Sequence, residues 1–421
     1  MRLLTVQNFS CIEKASLELR RLTVIIGPQA AGKSVLCKLS YFLIDCAHLQ
    51  QASLVKLQSF EKFQSLLKSR FIEWFPIEAW GPKKFRIEFT AGDYCITLTR
   101  KTHGGKPTDD FRVKISDEFE AQYEVLAAEF QKLSLKTSKD DFRHRIEFDY
   151  AFREETSKGL GTLMKKDYVA YQAFVPAGRS FFTSIGKAIA AFEQGRVLDP
   201  LILRFGRLYT GYMDRMHRTY LRTTPSELAL RKAIDKDFAG LMGGTVERDS
   251  DKEYLRTPDG RKIPLSAMSS GQQELLPLLT FMPWIIGLTE GRLCYIEEPE
   301  AHLFPSSQSR LIETLVSAGS SGASLVMTTH SPYVITKINN LLKAGAVGRK
   351  LSDDKRRALS AVVARRAWLN AKDVAAYAIE DGKLRSILED DGLIDSDYLD
   401  QVSGELSKEF GQLLAFEESI A

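Results

Sequence analysis

The chain has 421 residues, room for one to three domains, and 44% hydrophobic with 27% charged residues is a globular composition with enough chain to bury a core. Lys plus Arg number 58 against 54 Asp plus Glu, a net of +4, which excludes a strongly cationic nucleic-acid coat and an acidic disordered chain but allows a local basic groove. Cys11, Cys37, Cys46, Cys95 and Cys294 form no CxxC pair, so neither a disulfide scaffold nor a cysteine-based zinc module is expected, and a reducing, cytoplasmic setting fits. No run of about 18 apolar residues marks a membrane span, and the first eleven residues alternate like a strand rather than a signal peptide. From Glu380 to Ala421 the net charge is −9, which leaves +13 on the rest. Such an end could pack on the basic body, repel nucleic acid, or be a solvated helical surface.

Three strands are predicted first, Leu3–Gln7, Ala15–Leu19 and Leu22–Ile26, and the third runs into Gly27 ahead of a helical pattern from Lys33 to Leu49. Strand, glycine turn, helix opens an α/β nucleotide-binding unit. Residues 46–254 read as a different, inserted α+β layer of strands and a helical lid. Phe85–Phe89 and Tyr94–Arg100 flank Ala91-Gly92-Asp93 as a hairpin, and Phe111–Ile115 is another strand. Glu118–Leu135, Ser180–Gln194, Pro200–Arg222 and Ser226–Leu241 are predicted helices, none with a sustained heptad. A second hairpin surrounds Pro258-Asp259-Gly260. Gln272–Leu288 is helical, and Arg292–Ile296 and Ser324–Thr328 are compact apolar strands of a buried parallel sheet. Beyond about 345, helices alternate with short strands such as Val374–Ile379, and the chain ends in an acidic helix.

Gly27-Pro28-Gln29-Ala30-Ala31-Gly32-Lys33-Ser34 matches GxxxxGK[ST] between a strand and a helix. Gly27 and Gly32 let the backbone curl so that successive N–H groups face phosphate. Lys33 brings charge to the β- and γ-phosphates, Ser34 can offer its hydroxyl to Mg²⁺, and the following helix aims its dipole at the same anion. Four further pieces follow in order: Ser269-Ser270-Gly271-Gln272-Gln273 before a helix; apolar Leu293–Ile296 leading into Glu297-Glu298; Pro299-Glu300-Ala301-His302-Leu303; and Leu325–Thr329 ending in His330. Singly each has an ordinary reading: a helix cap, a polar loop, a structural histidine.

Together they resemble the ATP-binding-cassette (ABC) ATPase head, and within it the soluble branch of the OLD proteins, the RecF-like repair ATPases and the ATPase subunits of antiphage systems. The resemblance covers 1–45 and 255–345, split by the insertion at 46–254 and followed by an extension at 346–421. The segment Phe174–Arg179 and the stretch from Glu380-Asp381-Gly382 onward add weaker matches. The fold implied is a P-loop NTPase of ABC-head type carrying a large inserted α+β layer.

The resemblance implies ATP and Mg²⁺ at Gly27–Ser34 and the adjoining Val35, covered by the signature Ser269, Ser270, Gly271 and Gln272 of a second copy. Ser270 stands where the usual signature has glycine. Glu297 takes the place of the aspartate that holds the metal, with Ser34, and Glu298 that of the glutamate that polarises the attacking water. His330 matches the histidine that contacts the γ-phosphate. Gln172, in the strand-like run Tyr168–Phe174, is the candidate glutamine-loop ligand of nucleotide and metal. Arg179 could reach phosphate, link subunits, or lie on the surface. One phosphate loop and one signature per chain imply a head-to-head dimer or a higher homo-oligomer.

The resemblance further implies a slow, regulatory ATPase that senses a phage-derived trigger and holds or releases a separate effector nuclease, as in Septu-, retron- or PARIS-type systems. Glu380-Asp381-Gly382 and Asp395-Ser396-Asp397 superficially suit a nuclease metal site, but their short separation argues against one here. The alternatives are a RecF-like DNA-binding repair ATPase and a scaffold that binds ATP with negligible turnover. Arg204, Arg207, Arg215, Arg218 and Arg222, interleaved with Phe205, Tyr209, Tyr212, His217 and Tyr220, could face nucleic acid, or could be solvated arginines on a helix whose aromatic face is core.

Overall fold

The computed structural model describes every residue except 137–141, 186–197, 214–223, 250–251, 287–290, 396–407 and 414–421. The chain opens with β1 (Arg2–Phe9), β2 (Ile12–Leu19), β3 (Leu22–Ile26), α1 (Lys33–Val55) and α2 (Phe60–Trp74). Next come β4 (Arg86–Ala91), β5 (Tyr94–His103), β6 (Lys106–Ile115), α3 (Asp117–Lys136), α4 (Phe142–Met164) and β7 (Tyr171–Val175). Then follow α5 (Phe181–Ile185), α6 (Pro200–Met213), α7 (Pro225–Met242), β8 (Thr245–Asp249), β9 (Lys252–Arg256), β10 (Lys262–Pro264) and α8 (Ser270–Ile286). The last part holds β11 (Arg292–Glu297), α9 (Pro305–Gly319), β12 (Ser324–Thr329), α10 (Pro332–Gly348), α11 (Asp353–Val362), β13 (Val374–Glu380) and β14 (Lys383–Ser386).

Among the described residues, eleven strands form one sheet in the order β6-β5-β4-β1-β2-β14-β13-β3-β12-β11-β7, and β10-β9-β8 form a small second sheet. The strands β13, β3, β12, β11 and β7 run parallel to one another, while β13 pairs antiparallel with β14. The other end, β6-β5-β4-β1-β2, is antiparallel. This is a mixed α/β fold. Strands β4–β6 and β7, all from the segment 46–254, add to both ends of the same sheet. That segment therefore supplies sheet strands as well as helices, because β1 and β11 each leave an edge whose N–H and C=O groups need partners.

The central strands are apolar throughout because both faces are covered. In β3, Ile25 packs into one core and Leu22, Val24 and Ile26 into the other. In β11, Leu293 and Tyr295 face the first core, and Cys294 and Ile296 the second. Helices α1 and α2 close the first face with Leu36, Leu39, Phe63 and Phe71. Helices α8, α9 and α10 close the second with Leu278, Leu315 and Ile338. Helix α2 was not among the expected elements, yet it buries Phe60, Phe63, Leu67, Phe71 and Trp74 at the three-and-four spacing of one helix face, with Ser59 as its cap. No helix among the described residues is long and apolar enough to cross a membrane.

Where it is described, the arginine-rich stretch follows the core-helix reading, except that Arg204 is paired rather than solvated. Phe205 and Tyr209 of α6 are core residues. Arg204 is bidentate to Asp45, Nη1–Oδ1 and Nη2–Oδ2 both 2.9 Å, and lies 5.6 Å over the rings of Tyr41 and Trp74. It braces α6 to α1 and is spoken for. Arg215, Arg218, Arg222, His217 and Tyr220 lie outside the described residues, as do most of the expected helix Ser180–Gln194 and the pair Ser396-Asp397. Glu380-Asp381-Gly382 is the β13–β14 hairpin turn, with Gly382 O accepting from the Glu13 and Lys14 amides.

Candidate functional site: the phosphate loop and the ends of the parallel strands

The loop 27–32 connects β3 to α1 at the end of the parallel strands. Ala30 and Gly32 take positive φ, +59° and +103°. A Cβ on Gly32 would sit 2.3 Å from Ile12 Cδ1, and one on Gly27 would sit 2.5 Å from Ile379 O. Glycine is needed at both by close approach, and at Gly32 by backbone conformation as well. Lys33 Nζ donates to the carbonyls of Gly27 and Pro28 at 2.9 and 2.8 Å. Burial pulls its pKa below the usual value, and the carboxylates of Glu298, Glu297 and Glu300 act against that shift. The ammonium is thus held beside the loop by carbonyls that a phosphate oxygen can replace as its partner. Pro28, Gln29, Ala30 and Ser34 are exposed, Ala31 and Val35 half-buried.

Strands β11 and β12 bring the remaining groups to the same end. Glu297, the last residue of β11, pairs in register with Thr328, and Thr329 of β12 pairs with Ile26, next to Gly27. Burial pushes the Glu297 carboxyl above the usual range, while the Ser34 hydroxyl and the Ala177 amide draw it down again. Oε2 accepts from Ala177 N–H at 3.2 Å, and Oε1 is buried without a hydrogen-bond partner. An orphaned carboxylate oxygen beside a serine hydroxyl fits a hard divalent cation. No group of three or more His, Cys, Asp or Glu among the described residues could hold a metal by itself, so nucleotide phosphates would have to complete the shell. The glutamate in place of aspartate is compatible with this.

Glu298 adopts φ +42°, and its N–H donates to Thr328 O at 3.0 Å. That turn leaves its Oε1 2.9 Å from His330 Nε2. Glu300 is buried, its Oε1 accepts from Thr329 Oγ1 at 2.5 Å and from the His330 amide at 3.1 Å, and burial pushes its carboxyl up. It fixes the backbone that carries the histidine.

Two expectations are corrected. Gln172 pairs in register with Leu293, four residues before Glu297, which is about 13 Å along the strand. Its Nε2 donates to Tyr41 O at 2.9 Å. It is at the wrong end of β7 to bind nucleotide or metal, and the Ala177 amide, beyond the other end of β7, is what meets Glu297. Arg179 is neither a phosphate contact, a subunit link nor a surface group: it is 0% exposed and donates to the carbonyls of Glu274, Pro176, Glu297, Glu298 and Pro299.

Ser269 caps α8 in a capping box. Its N–H donates to Gln272 Oε1 at 2.9 Å, and its Oγ accepts from Gln272 N–H at 3.4 Å. Gln272 Nε2 also donates to Met242 O at 2.7 Å. Ser269 and Ser270 stay exposed, while Gly271 packs so closely on the loop after Glu298 that a Cβ would lie 2.8 Å from His302 O. Glu274 was not among the candidates, and Glu300 and Ala177 entered only as members of the segments Pro299–Leu303 and Phe174–Arg179, since polar groups that act through backbone contacts leave no spacing signal in sequence.

A family model described as an AAA ATPase domain matches residues 209–335. The match takes in Ser269–Gln272, Glu297-Glu298 and His330, and does not reach residues 27–34. This match supports an ATPase domain in the chain. A search of curated proteins finds no match. Solved structures similar to this one include the SMC head domain from Thermotoga maritima, 13% identical over 92% of this chain and 98% of that one, with a TM-score of 0.37. Another is the SmcHead bound to the C-winged helix domain of ScpA, at 13%, 91% and 96%, TM-score 0.40. A third is the Smc head domain with an extended coiled coil bound to the C-terminal domain of ScpA derived from Pyrococcus furiosus, at 13%, 97% and 100%, TM-score 0.38.

Proposed function

We propose that the chain is an ATP-hydrolysing switch whose two copies close head to head over ATP, held at Gly27–Val35 of one and Ser269–Gln272 of the other. The observation that carries this reading is the convergence of Lys33, Glu297, Glu298 and His330 at one end of β3, β11 and β12. Lys33 would neutralise phosphate charge. Ser34 and Glu297 would hold Mg²⁺, which on binding supplies charge neutralisation at the phosphates. Glu298 would orient water and take its proton, with His330 holding the carboxylate before nucleotide arrives and donating to phosphate afterwards. ATP then acts as glue between heads and hydrolysis releases it. The use of that switch in antiphage defence, sensing a phage-derived trigger and restraining or releasing a separate nuclease, rests on the resemblance of these motifs to the OLD/RecF-like branch. The test is phosphate release and assembly mass with and without ATP, for wild type and Glu298→Gln, followed by pull-down from the native host. A wild-type chain that stays monomeric with saturating ATP and releases no phosphate would end the proposal.

A second reading, direct DNA binding as in a RecF-like ATPase, is favoured by the outer face of β4-β5-β6. Arg86, Thr99 and Arg112 share one cross-strand rung, and Thr97 pairs with Lys114. Lys84, Arg86, Lys101, Arg112 and Lys114 are exposed on this face, opposed by Glu88 at Arg86 and Asp110 at Lys101. Spaced cations on a twisted sheet suit a phosphate backbone. Charge reversal at Arg112 and Lys114 should weaken DNA binding and flatten its salt dependence; absence of binding by wild type at low salt removes this reading.

A further inference from the structure

The geometry points to Arg179 as a positioning residue that ties the signature helix to the catalytic loop of its own head, so that closure at one nucleotide adjusts the carboxylates at the other. This rests on the two-copy reading above.

Arg179 has no exposed surface. Its Nε donates to Glu274 O at 2.9 Å, and Nη1 to Glu297 O at 2.9 Å and Pro176 O at 3.3 Å. Nη2 donates to Glu298 O at 3.3 Å and Pro299 O at 3.1 Å. Five carbonyls from three separate segments thus converge on one planar fork. Three of them leave the end of β11, where the strand ladder stops and buried C=O groups need another donor. They bracket Glu298, whose positive φ is a strained conformation that persists only where its surroundings hold it. The fork therefore sets where the Glu298 carboxylate points.

The other partner is the signature helix. Glu274 lies one turn beyond Ser270 in α8 and is 1% exposed. Its Oε1 accepts from Ser180 N–H at 3.2 Å. Its Oε2 lies 3.4 Å from Arg179 Nε without a hydrogen bond being completed. A small shift of α8 can close or open that contact. Gly271 supplies a second tie, packed against His302 O and Leu303. A signature that moves onto a neighbour's phosphate would drag Glu274, and the fork would carry the movement to Glu297, Glu298 and Pro299. Lysine lacks the planar five-donor fork and cannot span these carbonyls.

The test uses the full chain with Arg179→Lys, Glu274→Gln and the double variant. It measures melting temperature, fluorescent ATP affinity, and kcat, KM and Hill coefficient for ATP turnover. Arg179→Lys should keep ATP affinity within about threefold and lower kcat about 100-fold, as misplacing a reacting group does, with the Hill coefficient falling to one. Glu274→Gln keeps the acceptor for Ser180 and the shape of the site, and should lose cooperativity while staying folded. The double variant should be no slower than Arg179→Lys alone, since one route is being cut twice. A merely structural role would lower the melting temperature and leave cooperativity intact, which overturns the proposal. So does Glu274→Gln with wild-type cooperativity, if Arg179→Lys does not fold. A wild-type chain that neither pairs nor turns over ATP sinks the sandwich reading and the coupling with it; one that does both, matched by its variants, sinks the coupling alone.

Discussion

His330 Nε2 and Glu298 Oε1 lie 2.9 Å apart, one residue from the loop after β12 and the other from the loop after β11. Each is held from behind, Glu298 by Thr328 O and His330 by Glu300 Oε1. The carboxylate is therefore aimed before any substrate arrives. Glu298→Gln keeps the shape and removes the proposed base. Turnover should fall by about 10²–10⁴-fold, while ATP binding persists and the closed assembly accumulates. Phosphate release together with native mass measures both halves; normal turnover would remove Glu298 from the mechanism.

Lys33 Nζ is bonded to two loop carbonyls. Lys33→Ala should lose ATP affinity by about 100-fold or more, the loss of a charge-assisted pair at about 1.5–3 kcal/mol or above. Its melting temperature should change little. A fluorescent-nucleotide titration beside a thermal melt separates the two outcomes.

Gly32 has φ +103° and no room for a Cβ. Gly32→Ala should destabilise the chain by about 1–3 kcal/mol through strain, and should displace the amides that face phosphate. Denaturant unfolding of the nucleotide-free chain reads the first effect, and ATP titration the second. A variant as stable as wild type would mean that Ile12 and Cys11 yield easily.

Burial raises the Glu297 carboxyl above its ordinary value. The unfolded chain releases this proton near pH 4.3, so between there and the raised folded value the folded state binds more protons. The stability that protonated Glu297 contributes is complete below the unfolded value and is lost as pH rises through the folded one. Glu297→Gln should therefore melt higher than wild type at pH 7 without nucleotide, with the gap closing as pH falls toward 4.5. The same variant should weaken Mg²⁺-dependent ATP binding. A gap independent of pH would contradict the assignment.

The local elements were largely legible. Gly27–Ser34 is a contiguous motif between an apolar strand and a helix, and the Gly92 and Pro258-Asp259-Gly260 turns carry the residues that such turns require. Helix α2 was missed although Phe60, Phe63, Leu67, Phe71 and Trp74 carry the spacing of one helix face. Gln172 misled because a strand-borne glutamine says nothing about which end of the strand it occupies; only the register with Leu293 does. The arginines near 204 left two readings open because alternation with aromatics looks the same for a core helix as for a binding face, until Phe205 and Tyr209 are seen in the core and Asp45 across from Arg204.

Sequence alone determined what is encoded within a few residues: the glycine turn Gly27–Ser34 between strand and helix, the apolar strands that require cover on both faces, and the glutamate pair at the end of one of them. These follow from backbone sterics and side-chain periodicity, which act locally. The tertiary structure decided which groups meet. Glu298 reaches His330, Ala177 rather than Gln172 reaches Glu297, and Arg179 is buried among five carbonyls. Residues up to 120 positions apart are brought together here by strand order and by the need of buried polar groups for partners, and neither is written in any one stretch of chain.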